Sequence, residues 1–397
     1  MAKIVLLTQR TPWPPDRGDK ITTWRLLERM ARRHEVHSLS FAHGEDDERA
    51  AGTLRSKGLR ATTIPWRKGP QLLRAAALLA TTRPITLGVY GSGRMRRAVD
   101  AALADADLAY AYSSSMAAFL LHHHQVKRVM HFAELDSDKW RQYAQRVAPP
   151  AKWVWAREAR TLLRFERRVA AEFDASILCT PLEQEVFARH IPDVPSRVLR
   201  NGVDLEYFAP RRDLRRAGEL VFTGVMDYEP NVDGVEWFVR EILPLVRLRV
   251  PGARFSIVGS KPVPRVQALA AVEGVVVTGR VEDVRVHLHR AAVSVAPLRI
   301  ARGIQNKVLE AMAAGVPVVG TTSATQGVEC QPGRDLVVRD DPREFAAEVA
   351  RLLEDSRAAE ELGARGRALV EARYDWERTL APLDAWIDEW LAAPSRP

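Results

Sequence analysis

Arg302-Gly-Ile-Gln-Asn-Lys307-Val-Leu-Glu310-Ala-Met-Ala-Ala-Gly315-Val-Pro-Val-Val319 reads as a glycine-bearing loop, a helix and a buried strand in succession. The helix begins near Gln305 and stops at Gly315, a residue suited to a helix C-terminus, and Val316 to Val319 resume a sheet. At about 100° per residue, Val308, Ala311 and Met312 share one face, while Asn306, Lys307 and Glu310 lie off it. The loop leaves an apolar strand, Ala292 to Ala296, and enters the helix directly. That geometry makes an anion site: free N–H groups and the positive end of the helix dipole hold a diphosphate, and Arg302 and Lys307 add full charges. Glu310, one turn inside, can accept hydrogen bonds from ribose hydroxyls, as the acidic residue of dinucleotide folds does. The alternative for Lys307 and Glu310 is an i,i+3 surface ion pair.

Outward from this stretch the same alternation recurs. Strands are predicted at Lys3 to Thr8, Val36 to Phe41, Leu108 to Tyr112, Arg128 to Phe132 and Ala175 to Cys179, with helices at Ile21 to Arg33 and Ala151 to Ala171. Val198 to Val203 runs extended and Asp204 to Pro210 is a linker. The second half repeats the pattern: strands at Leu220 to Thr223, Arg254 to Val258 and Val275 to Thr278, helices at Val232 to Leu245, Phe345 to Leu353 and Ala358 to Glu371, and a last helix from Trp376 to about Leu391. Regular βα alternation argues for parallel sheets, so the fold class is α/β with two Rossmann-like domains. The expected domains are 1–204, 205–375 and a terminal helix, 376–397, packed across the junction; 397 residues are too many for one ordinary core.

Hydrophobic content of 46% and charged content of 27% place the chain among globular proteins and exclude a disordered or membrane-spanning class. The apolar start of four residues is too short for a signal peptide, and Cys179 and Cys330 sit in strand-like contexts without metal spacing. A reducing cytoplasm is the expected location. The net charge of +9 belongs to the first 200 residues, the remainder being net acidic. This asymmetry fits either an anionic membrane surface bearing a lipid-phosphate acceptor or an Arg-rich solvated surface. Trp66 to Ala80 is basic and then apolar, either a membrane-resting helix or an ordinary buried one. No Walker loop, Gly-x-Ser-x-Gly elbow, dinucleotide fingerprint or recognisable nucleic-acid motif is present, so NTPase, hydrolase, NAD-enzyme and nucleic-acid readings lack support. His122-His-His124 cannot converge on one ion, because neighbouring side chains point in different directions.

Lys307, Glu310 and the Ala-Met-Ala-Ala-Gly-Val-Pro-Val run resemble the family 4 retaining glycosyltransferases, whose signature is two glutamates with seven residues between them before such a run. The resemblance extends through Arg200-Asn-Gly-Val-Asp204, Gly224 after a strand, Val258-Gly259, Thr278-Gly279-Arg280-Val281 and Tyr374-Asp375-Trp376. Met226 to Trp237 is similar to the branch found with exopolysaccharide and PEP-CTERM/exosortase systems. Two departures stand out. Arg302 occupies the place of the first glutamate, and the Arg and Lys that relatives carry after Gly224 are replaced by Val225-Met226-Asp227. Arg302 is expected to replace that lost charge at the diphosphate.

The resemblance implies a GT-B fold, two Rossmann-like domains facing across a cleft, and a hexosyltransferase-type enzyme. The donor would be a nucleotide-diphosphate sugar and the acceptor a glycan or a lipid-linked molecule. Transfer would proceed with retention, with no metal and no cofactor, in exopolysaccharide or cell-surface polysaccharide synthesis, by a cytoplasmic protein peripheral at the inner face of the membrane. It places donor binding at Gly18, Gly224, Gly303, Ile304, Gln305, Asn306, Lys307 and Glu310, and catalysis at Arg302, Lys307 and a cleft histidine, His131. Gly18 lies in the first strand-to-helix loop, where glycine permits close approach, and Arg17, Asp19 and Lys20 meet acceptor-side oxygens or form a solvated, capped turn. The strand-end His131 can equally be structural, and Asp136-Ser-Asp138 reads as the Asp-x-Asp metal motif of the other glycosyltransferase architecture or as a helix start. The alternatives to transfer are an inactive scaffold of a polysaccharide assembly complex, because of Arg302, and a nucleotide-sugar epimerase on the same fold.

Overall fold

The computed structural model describes residues 1–145 and 147–394. It divides into two compact units, Met1–Arg200 together with Leu380–Pro397, and Asn201–Thr379.

The first unit is built on a seven-stranded parallel sheet of β1 (Lys3–Thr8), β2 (Glu35–Ala42), β3 (Arg60–Pro65), β4 (Leu108–Tyr112), β5 (Lys127–Ala133), β6 (Ala175–Leu178) and β7 (Arg197–Val198). The order is β3-β2-β1-β4-β5-β6-β7, so the chain runs outward one way from β1 and then the other way from β4. Strand β1 is buried on both faces, as a central parallel strand must be: Ile4 to Leu7 are at most 2% exposed. The helices that matter below are α1 (Gly18–Ala31), α2 (Lys68–Ala77), α3 (Asp136–Ala144) and α4 (Ala151–Glu172).

The second unit carries a six-stranded parallel sheet of β8 (Glu219–Thr223), β9 (Arg254–Val258), β10 (Val275–Gly279), β11 (Val293–Ala296), β12 (Val318–Gly320) and β13 (Val337–Val338), in the order β10-β9-β8-β11-β12-β13. Here the topological reversal falls between β8 and β11, which pair directly. The helix α5 (Asn306–Ala313) follows β11, and Gly315 in the left-handed region (φ 66°) ends the turn after it, as expected. The final helix α6 (Trp376–Ala392) starts in this unit and from Leu380 onward belongs to the first. Arg29 grips Asp384 (2.6 Å), Arg33 pairs with Asp388 (2.9 Å), and the Arg197 guanidinium lies over the rings of Trp386 and Trp390.

Both units are Rossmann-like, as the sequence indicates. Several expectations are corrected. Helix α1 starts at Gly18, three residues earlier than predicted, so Gly18 is an exposed first-turn residue and not part of a loop. Val198 to Val203 pairs as a strand only over Arg197–Val198. The helix expected over Val232 to Leu245 runs Glu229–Trp237, loosens into a π turn over Phe238–Ile242 and resumes at Leu243–Arg249. Strands β3 and β13 were not anticipated. The Trp66 to Ala80 segment is not an ordinary buried helix: α2 buries only Gln71 and Ala75, and Leu72, Leu73 and Leu79 are exposed. No described helix is long and apolar enough to cross a membrane. Cys179 is buried and Cys330 half-buried, and neither is in a disulfide.

Candidate functional site

In an open parallel sheet ligands bind beyond the carboxyl ends of the strands where the winding reverses, because the two loops there diverge and leave a crevice. In the second unit that place lies after β8 and β11. The loop after β8 opens with Gly224, and the segment after β11 leads through Arg302 and Gly303 (φ 59°) into α5. The predicted donor residues Gly224, Gly303, Ile304, Gln305, Asn306, Lys307 and Glu310 therefore sit on these two connections.

Lys307 is the centre of the arrangement. Its Nζ donates to Asn231 Oδ1 at 2.6 Å and stands 4.3 Å from the centroid of the Phe222 ring, at the end of β8. A Cβ placed on Gly224 would fall 2.7 Å from Asn231 Nδ2 and 3.3 Å from Lys307 Nζ, so only glycine lets the loop run this close to the ammonium. Asn231 is itself fixed, donating through Nδ2 to the Val225 carbonyl at 2.9 Å. Burial pushes the Lys307 ammonium down to about 7, with the charge of Glu310 acting in the opposite direction, and burial pushes the Glu310 carboxyl up to about 7. The surface ion pair between them is not made, because Lys307 reaches toward Asn231.

The start of α5 completes the site. The amides of Asn306 and Lys307 have no backbone acceptor among the described residues, as expected for a first helical turn, and the Gln305 side chain braces the loop by donating to the Arg302 carbonyl at 2.8 Å. Ile304 packs against the core, so only its backbone is available to a ligand. An ammonium, unpaired N–H groups and a glycine-lined approach can together neutralise a diphosphate. Sequence reasoning missed Asn231 and Phe222. The available signal was an amide side chain in the first turn of the helix that follows Gly224.

The predicted residues of the first unit are placed differently. Arg17 pairs with Asp19 at 2.5 Å, Asp19 also meets Arg10 at 3.4 Å, and Lys20 lies buried between Asp47 (3.2 Å) and Asp16 (3.4 Å). These charges are engaged with one another. His131 is 1% exposed, its Nδ1 lies 2.8 Å from the Tyr110 hydroxyl, and Tyr112 packs edge-on against it. Burial lowers its pKa to about 3, so the ring is neutral, and Nε2 has no hydrogen-bond partner among the described residues. Asp136 and Asp138 diverge at the start of α3. Asp136 lies 3.3 Å from the Ser114 hydroxyl, whereas Asp138 accepts from Arg141 (2.8 Å) and Gln142 (2.9 Å), so the two carboxylates do not face one point.

Over 254 residues the chain is 30% identical to a GDP-mannose-dependent alpha-(1-6)-phosphatidylinositol monomannoside mannosyltransferase of Mycobacterium tuberculosis (strain CDC 1551 / Oshkosh), a match covering 58% of this chain and 65% of that protein. The chain thus spans just under two thirds of that relative's length. Sucrose-phosphate synthase from Thermosynechococcus elongatus superposes over 99% of this chain and 100% of its own with a TM-score of 0.74 at 18% identity. Anabaena HepE in complex with UDP and glucose superposes over 98% of this chain and 100% of its own with a TM-score of 0.69 at 13% identity. These likenesses establish the GT-B fold. Residues 217–355, which hold every residue of the Lys307 site, match the model of the family described as Glycosyl transferases group 1.

Proposed function

We propose that the protein is a hexosyltransferase-type glycosyltransferase that takes a sugar from a nucleotide-diphosphate donor held by its second unit. The observation that carries this reading is the Lys307 ammonium, half-buried beside Gly224 and held by Asn231 at the winding reversal of the sheet. The diphosphate lies against Lys307 and the first turn of α5, and Glu310 accepts from the ribose. Arg302 adds a second cation to the loop. Negative charge grows on the diphosphate as the glycosidic bond breaks, so cations fixed in a partly dry site stabilise the transition state more than the bound donor.

The chain's own cations serve the leaving group without a metal or cofactor, and transfer proceeds with retention, the diphosphate assisting deprotonation of the acceptor hydroxyl. The acceptor is a glycan or lipid-linked molecule bound by the first unit, and the work belongs to exopolysaccharide or other cell-surface polysaccharide synthesis at the cytoplasmic face of a membrane. The mycobacterial relative, named for a phosphoinositide acceptor, supports a lipid-linked substrate. The basic first half and the exposed Leu72, Leu73 and Leu79 of α2 and its following turn support peripheral contact with an anionic surface.

Thermal shift with UDP, GDP and their sugar conjugates, on the wild type and Glu310→Ala, tests the donor site. One nucleotide should raise the melting temperature of the wild type by several degrees and leave Glu310→Ala nearly unmoved. No response to any nucleotide would reject the reading, and binding without turnover on any lipid acceptor would indicate a scaffold.

A further inference from the structure

Between α3 and α4 of the first unit lies a cavity of about 330 Å³, at the lower end of the range for small-ligand sites. Its apolar wall comes from Ala156, Ala159 and Leu163, one stripe of α4, and from Ala144 at the end of α3. The charges around it do not cancel. Asp138 is satisfied by Arg141 at 2.7 Å, with His190 3.4 Å away and kept toward its neutral form by burial. Lys152 and Arg160, both exposed on the rim, have no carboxylate partner among the described residues. An apolar wall under two uncompensated cations is complementary to an anionic head joined to a hydrocarbon chain.

The surroundings separate a lipid from a free anion. Trp153, next to Lys152, is 68% exposed, and one turn on, Arg157 of the same helix donates to the carbonyls of Leu78 (2.7 Å) and Arg83 (3.1 Å). This fastens the exposed Leu79 segment against the Trp153 side of α4. An aromatic with a wet edge, exposed leucines and flanking cations form a surface that rests at a lipid headgroup layer, beside the mouth of the cavity.

We propose that the α3–α4 cavity binds an anionic lipid, its phosphate between Lys152 and Arg160 and its first carbons along Ala156, Ala159 and Leu163. Resting on the glycosyltransferase reading, this site makes the acceptor a lipid phosphate. Calorimetric titration of the full chain with decyl phosphate below its micellar concentration, with inorganic phosphate and decyl maltoside as parallel arms, tests it. Decyl phosphate should bind at least tenfold more tightly than either. The charge pair Lys152→Gln/Arg160→Gln and the cavity-filling Ala156→Phe should each weaken it at least tenfold, with nucleotide-induced stabilisation unchanged. Inorganic phosphate binding as tightly as decyl phosphate, decyl maltoside doing so, or both variants retaining wild-type affinity would overturn the site. If the filled variant misfolds, the charge pair alone decides. Nucleotide binding without decyl phosphate binding removes the lipid site and leaves the donor site standing; the reverse result removes the acceptor role and leaves the lipid site.

Discussion

At the scale of the residue, the Lys307–Glu310 pair fixes how donor binding depends on pH. An empty site holds the ammonium at about 7, and a diphosphate would raise that value, so binding takes up a proton above neutrality and weakens as pH rises from 7. Glu310, raised to about 7, is increasingly protonated below neutrality and then no longer accepts from ribose as a carboxylate. Nucleotide affinity measured by calorimetry from pH 5.5 to 9 should therefore pass through a maximum near neutrality. In Lys307→Met the alkaline fall should vanish, affinity should drop at least tenfold, and the melting temperature should hold or rise, because a costly buried charge is gone. The positions of Lys307 and Glu310 were legible in the sequence; the partner of Lys307 was not. Asn231 lies 76 residues away on another connection, and no local periodicity links the two.

At the scale of the element, α4 is docked through a carboxyl group that burial holds protonated. Glu166 Oε1 accepts from the Ser114 hydroxyl (3.0 Å) and the Ser137 amide (3.3 Å), and burial, reinforced by Asp136, pushes its pKa up to about 8. The folded chain keeps this proton over a range where the unfolded chain has lost it, so stability is greatest below the ordinary glutamate range and falls as pH rises toward 8. Glu166→Gln should be more stable than the wild type at pH 8.5, by roughly 1–2 kcal/mol in chemical denaturation, with the difference shrinking toward pH 5. The long helices and most strands were readable because their apolar spacing matches their burial. Strand β3 was not, since Arg60-Ala-Thr-Thr-Ile-Pro65 is an edge strand of half-buried threonines, and β13 is two residues long. Helix α2 shows the opposite failure: its apolar residues form a helix whose Leu72 and Leu73 stay 50% and 75% exposed.

At the scale of the whole molecule, the first unit is not continuous in sequence. Ile387 is fully buried, so Ile387→Ala should cost about 2–4 kcal/mol, removed from the first unit alone. Calorimetric scans should show one transition lowered and the nucleotide-responsive one unchanged. Composition and alternation foretell two parallel-sheet units, but not which of them recruits the final helix, because that choice is made by Arg29, Arg33 and Arg197, residues unremarkable in isolation. The arrangement bears on how the chain is made. A ribosome that has finished residue 200 must still add the whole second unit before Leu380 emerges, a delay of roughly 10–40 s at ~5–20 residues per second. For that interval the seat of Ile387 and Trp390 on the nascent first unit is uncovered, a sticky patch that chaperones or the membrane can reach before its own helix does.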